Sequence, residues 1–168
     1  QAGELGFMGM YTPEDAGGLG MSRLDTSVIV EELARGCTST AAFLTIHNMA
    51  TSMLGTYGKP ALIEAWCADL VMGEKLASYC LTEPNAGSDA RADGDNYIVN
   101  GSKMFISGAG STDILVAMLR TGGDGPKGIS AFAIPADAPG ISYGKKEEKM
   151  GWNSQPTRTV TFEDVVVP

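Results

Sequence analysis

Near residues 73–77 the hydrophobic pattern of this chain changes period, and that change limits its possible folds more than any other feature. Before it, apolar residues recur at helical spacing; after it they alternate. Ser22 with Asp25 three positions on resembles a capping box, and Leu24, Val28, Ile29 and Leu33 follow at helix spacing before Gly36. Thr38, Ser39 and Thr40 can open a second helix, with Phe43, Ile46, Ala50, Met53, Leu54 and Tyr57 as its stripe and Gly58 at its end. Pro60 suits the first position of a third helix, which carries Leu62, Ile63, Trp66 and Leu70 on one face. From Ala77 onward strands are expected at 77–82, 96–100, 103–107, 113–120, 129–134 and 157–166, separated by Gly, Pro, Asn and Asp. Helices followed by strands predict an α+β fold rather than alternating βαβ units: a helical segment over 1–75, then an antiparallel β-domain over 76–168.

The bulk composition narrows the partners. With 168 residues, 43% of them apolar and 19% charged, the chain can bury one respectable core or two small ones. A net charge of −8 argues against a nucleic-acid backbone as partner, although an anionic cofactor needs only local donors. No stretch reaches the ~18 apolar residues of a membrane span. Cys37, Cys67 and Cys80 show no CxxC spacing and leave an odd count, which fits reduced thiols in a cytosolic or matrix-like compartment. The N-terminus, QAGELGFMGMY, lacks a signal-peptide pattern and begins without Met, so it reads as a cut end.

Several motifs are weaker than they look. Gly123-Asp124-Gly125-Pro126-Lys127-Gly128 satisfies GxGxxG as text, but the dinucleotide site needs a strand before it and a helix after it. Here both flanks read as strands and Pro126 interrupts the loop, so a hairpin connection is expected. His47 is the single histidine and lies on a helical stripe without HExxH spacing; a structural role is expected, and no metal. No GxSxG elbow supports a serine nucleophile. Lys145 to Lys149, KKEEK, reads as a solvated turn, and Trp152 and Phe162 as core or interface aromatics.

The run from Tyr79 to Ala92, YCLTEPNAGSDARA, carries more chemistry. Tyr79, Cys80 and Leu81 alternate like a strand end, Thr82 offers a hydroxyl, Pro84 forbids helix, and Gly87 permits close backbone approach before Ser88 and Asp89. A strand ending in such a turn gathers donors at one point, which suits a planar cofactor with a polar edge, or its phosphates. A simple capped turn would use the same residues.

This segment resembles the flavin-binding signature of acyl-CoA dehydrogenases, in which a hydrophobic-Thr-Glu-Pro stretch leads into Gly-Ser-Asp. Tyr97 to Gly110, YIVNGSKMFISGAG, resembles the family's next strand pair, whose aromatic-Ile-Ser/Thr triplet lies against the flavin; here it is Phe105, Ile106 and Ser107. Lys149 to Pro168, KMGWNSQPTRTVTFEDVVVP, is similar to the strands that close the family's β-domain, and residues 5–76 to the helical segment before it. The resemblance implies FAD as cofactor. Phe105 would form an apolar wall, Thr82 and Ser107 would offer hydroxyls to the flavin edge, Tyr79 and Leu81 would line the groove, and Gly87, Ser88 and Ile106 would complete it. Ser88 matches the family serine placed between the cofactor pyrophosphate and the thioester of the substrate. An acyl-CoA substrate, an electron-transferring flavoprotein as acceptor, a homotetramer of the full-length protein, and a bacterial cytoplasmic or mitochondrial matrix location are implied in the same way.

The chain also departs from the family pattern. The family's catalytic base, a glutamate in most members, lies on a C-terminal helical domain that has no counterpart before Pro168, so no catalytic residue is assigned and Glu83, Glu147, Glu148 and Glu163 are left to other roles. Between Asp89 and the Asp93-Gly94-Asp95 turn, where family members carry a further strand of several residues, only Ala90, Arg91 and Ala92 intervene, and an open sheet edge is expected. The runs GCTSTAAFLTIHNM and GWNSQPT most resemble members that oxidise short branched acyl-CoA thioesters of the isobutyryl type; the alternatives are another short- or branched-chain member, such as a 2-methylbutyryl type, and a non-catalytic flavin- or acyl-CoA-binding fragment.

Overall fold

The structure is a computed structural model, described here for residues 1–85 and 87–168. The chain divides into two compact units: residues 1–78 with 148–155, and residues 79–147 with 156–168.

In the first unit, Ser22 caps helix α1 (Arg23–Tyr57) by accepting the Asp25 amide at 3.1 Å. Helix α1 contains the break expected after Gly36: Cys37 sits at φ −157°, ψ 101°, so two helical stretches meet there at an angle. Pro60 opens α2 (Pro60–Met72), and Gly73, in the left-handed region at φ 72°, closes it. Two polar side chains on α1 organise what surrounds it. Asn48 accepts the Met10 amide at 2.7 Å and donates to the Phe7 carbonyl at 2.8 Å, standing in for a strand partner to the N-terminal segment. His47 is fully buried; its Nδ1 accepts the Ala77 amide at 3.1 Å, so its Nε2 bears the proton donated to the Leu70 carbonyl at 3.0 Å. Burial holds the ring below the usual histidine range, against the hydrogen bonds it makes with Leu70 and Met8. The histidine is structural. Lys149, expected in a solvated charge run, instead donates to the Trp152 and Gln155 carbonyls at 2.8 and 2.9 Å and clamps that loop, while Trp152 is exposed.

The second unit is a curled, mainly antiparallel sheet of β1 (Ala77–Cys80, whose first two residues count with the first unit), β2 (Asp89–Asp93), β3 (Asn96–Ser107), β4 (Ile114–Arg120), β5 (Ile129–Pro135), β6 (Ile141–Tyr143) and β7 (Thr157–Val167). The order is β1-β4-β2-β3-β7-β6, with β5 beside β4, and a short parallel contact pairs Asp89 with Arg120. Val99, Ile106, Leu115, Leu119, Ile134, Val160, Phe162 and Val165 form its core. The glycine run 123–128 joins antiparallel β4 and β5 through a single 3-10 turn, as a hairpin requires. The open edge expected after Ser88 does not arise: Asp89–Asp93 pairs residue for residue with Asn96–Asn100 around Gly94 at φ 62°, between β4 and β3. Three intervening residues suffice because the flanking aspartates join the strand and the hairpin turn is only two residues long. The expected strands 96–100 and 103–107 are one continuous strand, β3, and β6 was not foreseen.

Candidate functional site

Strict alternation along β3 would send Val99, Gly101, Lys103 and Phe105 to one face. Val99 and Lys103 do face the interior, but Phe105 does not. Between Lys103, paired with Val160, and Ile106, paired with Arg158, β3 holds one residue more than β7. That bulge is Phe105, at φ 58°. The backbone turns the phenyl ring outward, 57% exposed, and gives its inward place to Ile106, 2% exposed. The opposite bulge lies in β7 at Asp164, φ 50°, held by Asn100, whose side chain donates to Asp164 Oδ1 and accepts the Asp164 amide, both at 3.0 Å. Asp tolerates the left-handed region; an aromatic residue there is an outlier worth about 1–3 kcal/mol of strain, of the kind that gathers at ligand sites.

Leu81, Thr82, Glu83 and Ser88 are each tied to β3. The Met104 amide donates to the Thr82 carbonyl at 2.8 Å, which lays Leu81 and Thr82 beside Met104 and Phe105. Lys103, 1% exposed, donates from Nζ to the Glu83 carboxylate, the Leu81 carbonyl and the Met118 carbonyl on β4. The other Glu83 oxygen accepts the Gly87 amide at 2.9 Å and the Ser88 amide at 3.3 Å. Burial alone would raise the Glu83 carboxyl; hydrogen bonds from Lys103, Ser88 and Gly87 outweigh it and hold the group below the usual carboxylate range. The Ser88 hydroxyl donates to the Ser102 carbonyl at 3.1 Å, and its own carbonyl accepts the Arg120 amide at 3.2 Å. The approach is close because Gly101, at φ 133°, has no Cβ: one placed there would lie 2.5 Å from Ser88 Cα.

The sequence-expected residues therefore separate into groups. Thr82 is bonded to Met104, the residue before Phe105, and Leu81, Thr82 and Phe105 are all exposed. Gly87 is exposed as well, with nothing among the described residues within 4 Å of where its Cβ would stand. Ser88 is buried at 4% exposure with its hydroxyl proton committed to Ser102. Ile106 is a core residue; Tyr79 and Ser107 are partly buried, Ser107 pairing with Thr157. Burial lifts the Cys80 thiol to about 12, with Lys103 opposing, and leaves it unreactive. Glu83 and Lys103 were missed as a pair. The signal available was a lysine at an inward position of a strand, since a buried charge requires a counter-ion within reach. Among the described residues no cluster of His, Cys, Asp and Glu could hold a metal, and no helix is long and apolar enough to cross a membrane.

Residues 78–165 match the family model for the acyl-CoA dehydrogenase middle domain, and residues 1–74 that for the acyl-CoA dehydrogenase N-terminal domain. Among curated relatives, the chain is 53% identical to the mitochondrial isobutyryl-CoA dehydrogenase of Bos taurus, a match covering 100% of this chain and 42% of the relative. It is 36% identical to the mitochondrial short-chain specific acyl-CoA dehydrogenase of Bos taurus, over 99% of this chain and 42% of that one. Among solved structures, the acyl-CoA dehydrogenase of Bacillus anthracis complexed with FAD superposes with a TM-score of 0.86 at 31% identity, covering 99% of this chain and 30% of that one. The chain thus spans 42% of the length of these two curated relatives.

Proposed function

The chain belongs to the acyl-CoA dehydrogenase family, and on that premise we propose that it forms the flavin-facing β-surface of an FAD-dependent enzyme oxidising a short branched acyl-CoA, such as isobutyryl-CoA, to the 2-enoyl thioester. The branched substrate is supported by the greater identity to the isobutyryl-CoA relative, 53%, than to the short-chain one, 36%. The cofactor is supported by the donor set: an isoalloxazine ring needs a flat apolar wall and a few polar groups at its edge. Phe105 and Leu81 supply exposed apolar surface and Thr82 an adjacent hydroxyl, with Ser107 at the end of the same strand. Bound there, FAD would accept the hydride in the oxidation. The residues of this chain would bind and orient; Glu83, ionised and hydrogen-bonded, is unsuited to take a proton, and none is assigned as the base. An electron-transferring flavoprotein as acceptor, a homotetrameric full-length protein, and a mitochondrial matrix or bacterial cytoplasmic location belong to the same proposal.

The observation that carries this reading is Phe105, turned outward at a strained backbone angle. Full-length protein should purify with oxidised-flavin absorbance and oxidise isobutyryl-CoA in preference to butyryl-CoA with a dye acceptor. Phe105→Ala should weaken flavin binding by about 2–4 kcal/mol, roughly 30- to 1,000-fold. Colourless protein that takes up no added FAD would refute the proposal.

A further inference from the structure

We propose that the ion pair of buried Lys103 with partly buried Glu83 positions the cofactor-facing residues 81–85, 87 and 88, acting as their anchor and not as a source of stability. The inference rests on the flavin reading above and assigns two residues to it that do not themselves face the ligand. A buried ion pair is on average no more stabilising than well-packed apolar residues of similar volume, so a lysine 1% exposed, paired with a glutamate 18% exposed, asks for another account. The geometry supplies one. Lysine has three ammonium hydrogens, and Nζ of Lys103 meets the Leu81 carbonyl, the Glu83 carboxylate and the Met118 carbonyl of β4. Glu83 then reaches onward to the Gly87 and Ser88 amides, and Ser88 returns to β3 through Ser102, the residue before Lys103. The segment leaves β3 at Lys103 and comes back to it one residue away. Its two ends are thus fixed by one charge network, and Leu81 and Thr82 are held beside Phe105 by the same lysine and by the Met104 amide. Aspartate at position 83, one methylene shorter, could face the ammonium or the amides but could not span both.

The test uses the full-length holoprotein. Glu83→Asp should raise the FAD dissociation constant about 10-fold or more and alter the shape of the bound-flavin absorption band, with hydrogen exchange at Gly87 and Ser88 accelerated. The double variant Glu83→Gln with Lys103→Met removes both charges together. If the pair is an anchor, this variant recovers the apo melting temperature but not flavin affinity or the wild-type spectrum. Wild-type affinity and spectrum in the double variant would overturn the inference while leaving the flavin reading intact. So would Gly87 and Ser88 amides that exchange at coil rates in the wild type, a measurement independent of whether any variant folds. Wild-type protein that binds no flavin would remove both.

Discussion

Phe105 shows how one side chain can be arranged against its own backbone. Phe105→Gly should relieve the φ 58° strain and leave apo stability unchanged or raised by about 1 kcal/mol, while flavin affinity falls as for the alanine variant. Thermal melts of the apo protein beside FAD titrations would show the two moving in opposite senses; a large loss of stability would mean that the ring is packed as a core residue. His47 carries a different expectation. Its ring is neutral, and the Nδ1 lone pair that a proton would occupy already accepts the Ala77 amide. The folded state therefore binds that proton more weakly than the unfolded chain. Its contribution is complete above the ordinary histidine value of about 6.5 and is lost as pH falls from there toward the depressed folded value. His47→Gln keeps a donor and an acceptor but does not titrate. It should cost about 1–2 kcal/mol at pH 7.5 and flatten the fall of melting temperature below about pH 6.5, relative to wild type.

The β3–β7 ladder carries a bulge on each strand, and both re-aim side chains that alternation would have sent elsewhere. Gly101 sits between them, opposite Ser88. Gly101→Ala should destabilise the β-unit by about 3 kcal/mol or more, because its Cβ would meet backbone at 2.5 Å and its φ of 133° excludes L side chains. Gly87→Ala should be within about 0.5 kcal/mol, since nothing among the described residues lies near its Cβ. Chemical denaturation of the two variants would separate them at once. This contrast also marks what could be read beforehand. The helices, the break near Gly36, the change to strands at Ala77 and the hairpin at 123–128 follow from local periodicity and turn chemistry, which single sequences carry. The glycine that matters was visible only as one of many, because its constraint comes from Ser88, thirteen positions back across the sheet. The inward lysine, the outward phenylalanine and the short strand after Ser88 depend on register, and a one-residue slip reverses every face. Local pattern names residues near a site; pairing decides which of them point into it.

The boundary between units does not coincide with a single cut in the chain. Residues 148–155 interrupt the β-unit between β6 and β7 and belong with the helices, where the Lys149 clamp shapes them and the Ser154 hydroxyl bonds Ser39. A polypeptide of residues 1–78 alone should therefore melt at lower temperature, and less cooperatively, than the helices of residues 1–168, as followed by circular dichroism at 222 nm; equal midpoints would show that the loop adds nothing. The excursion has a further consequence during synthesis. At about 5–20 residues per second, roughly 4–14 s separate the emergence of residue 78 from that of residue 148. For that interval the helices wait, made but unfinished, while six strands appear behind them. The loop that completes them is followed directly by β7, the strand that closes the sheet. Made one after the other, the two units are finished almost together.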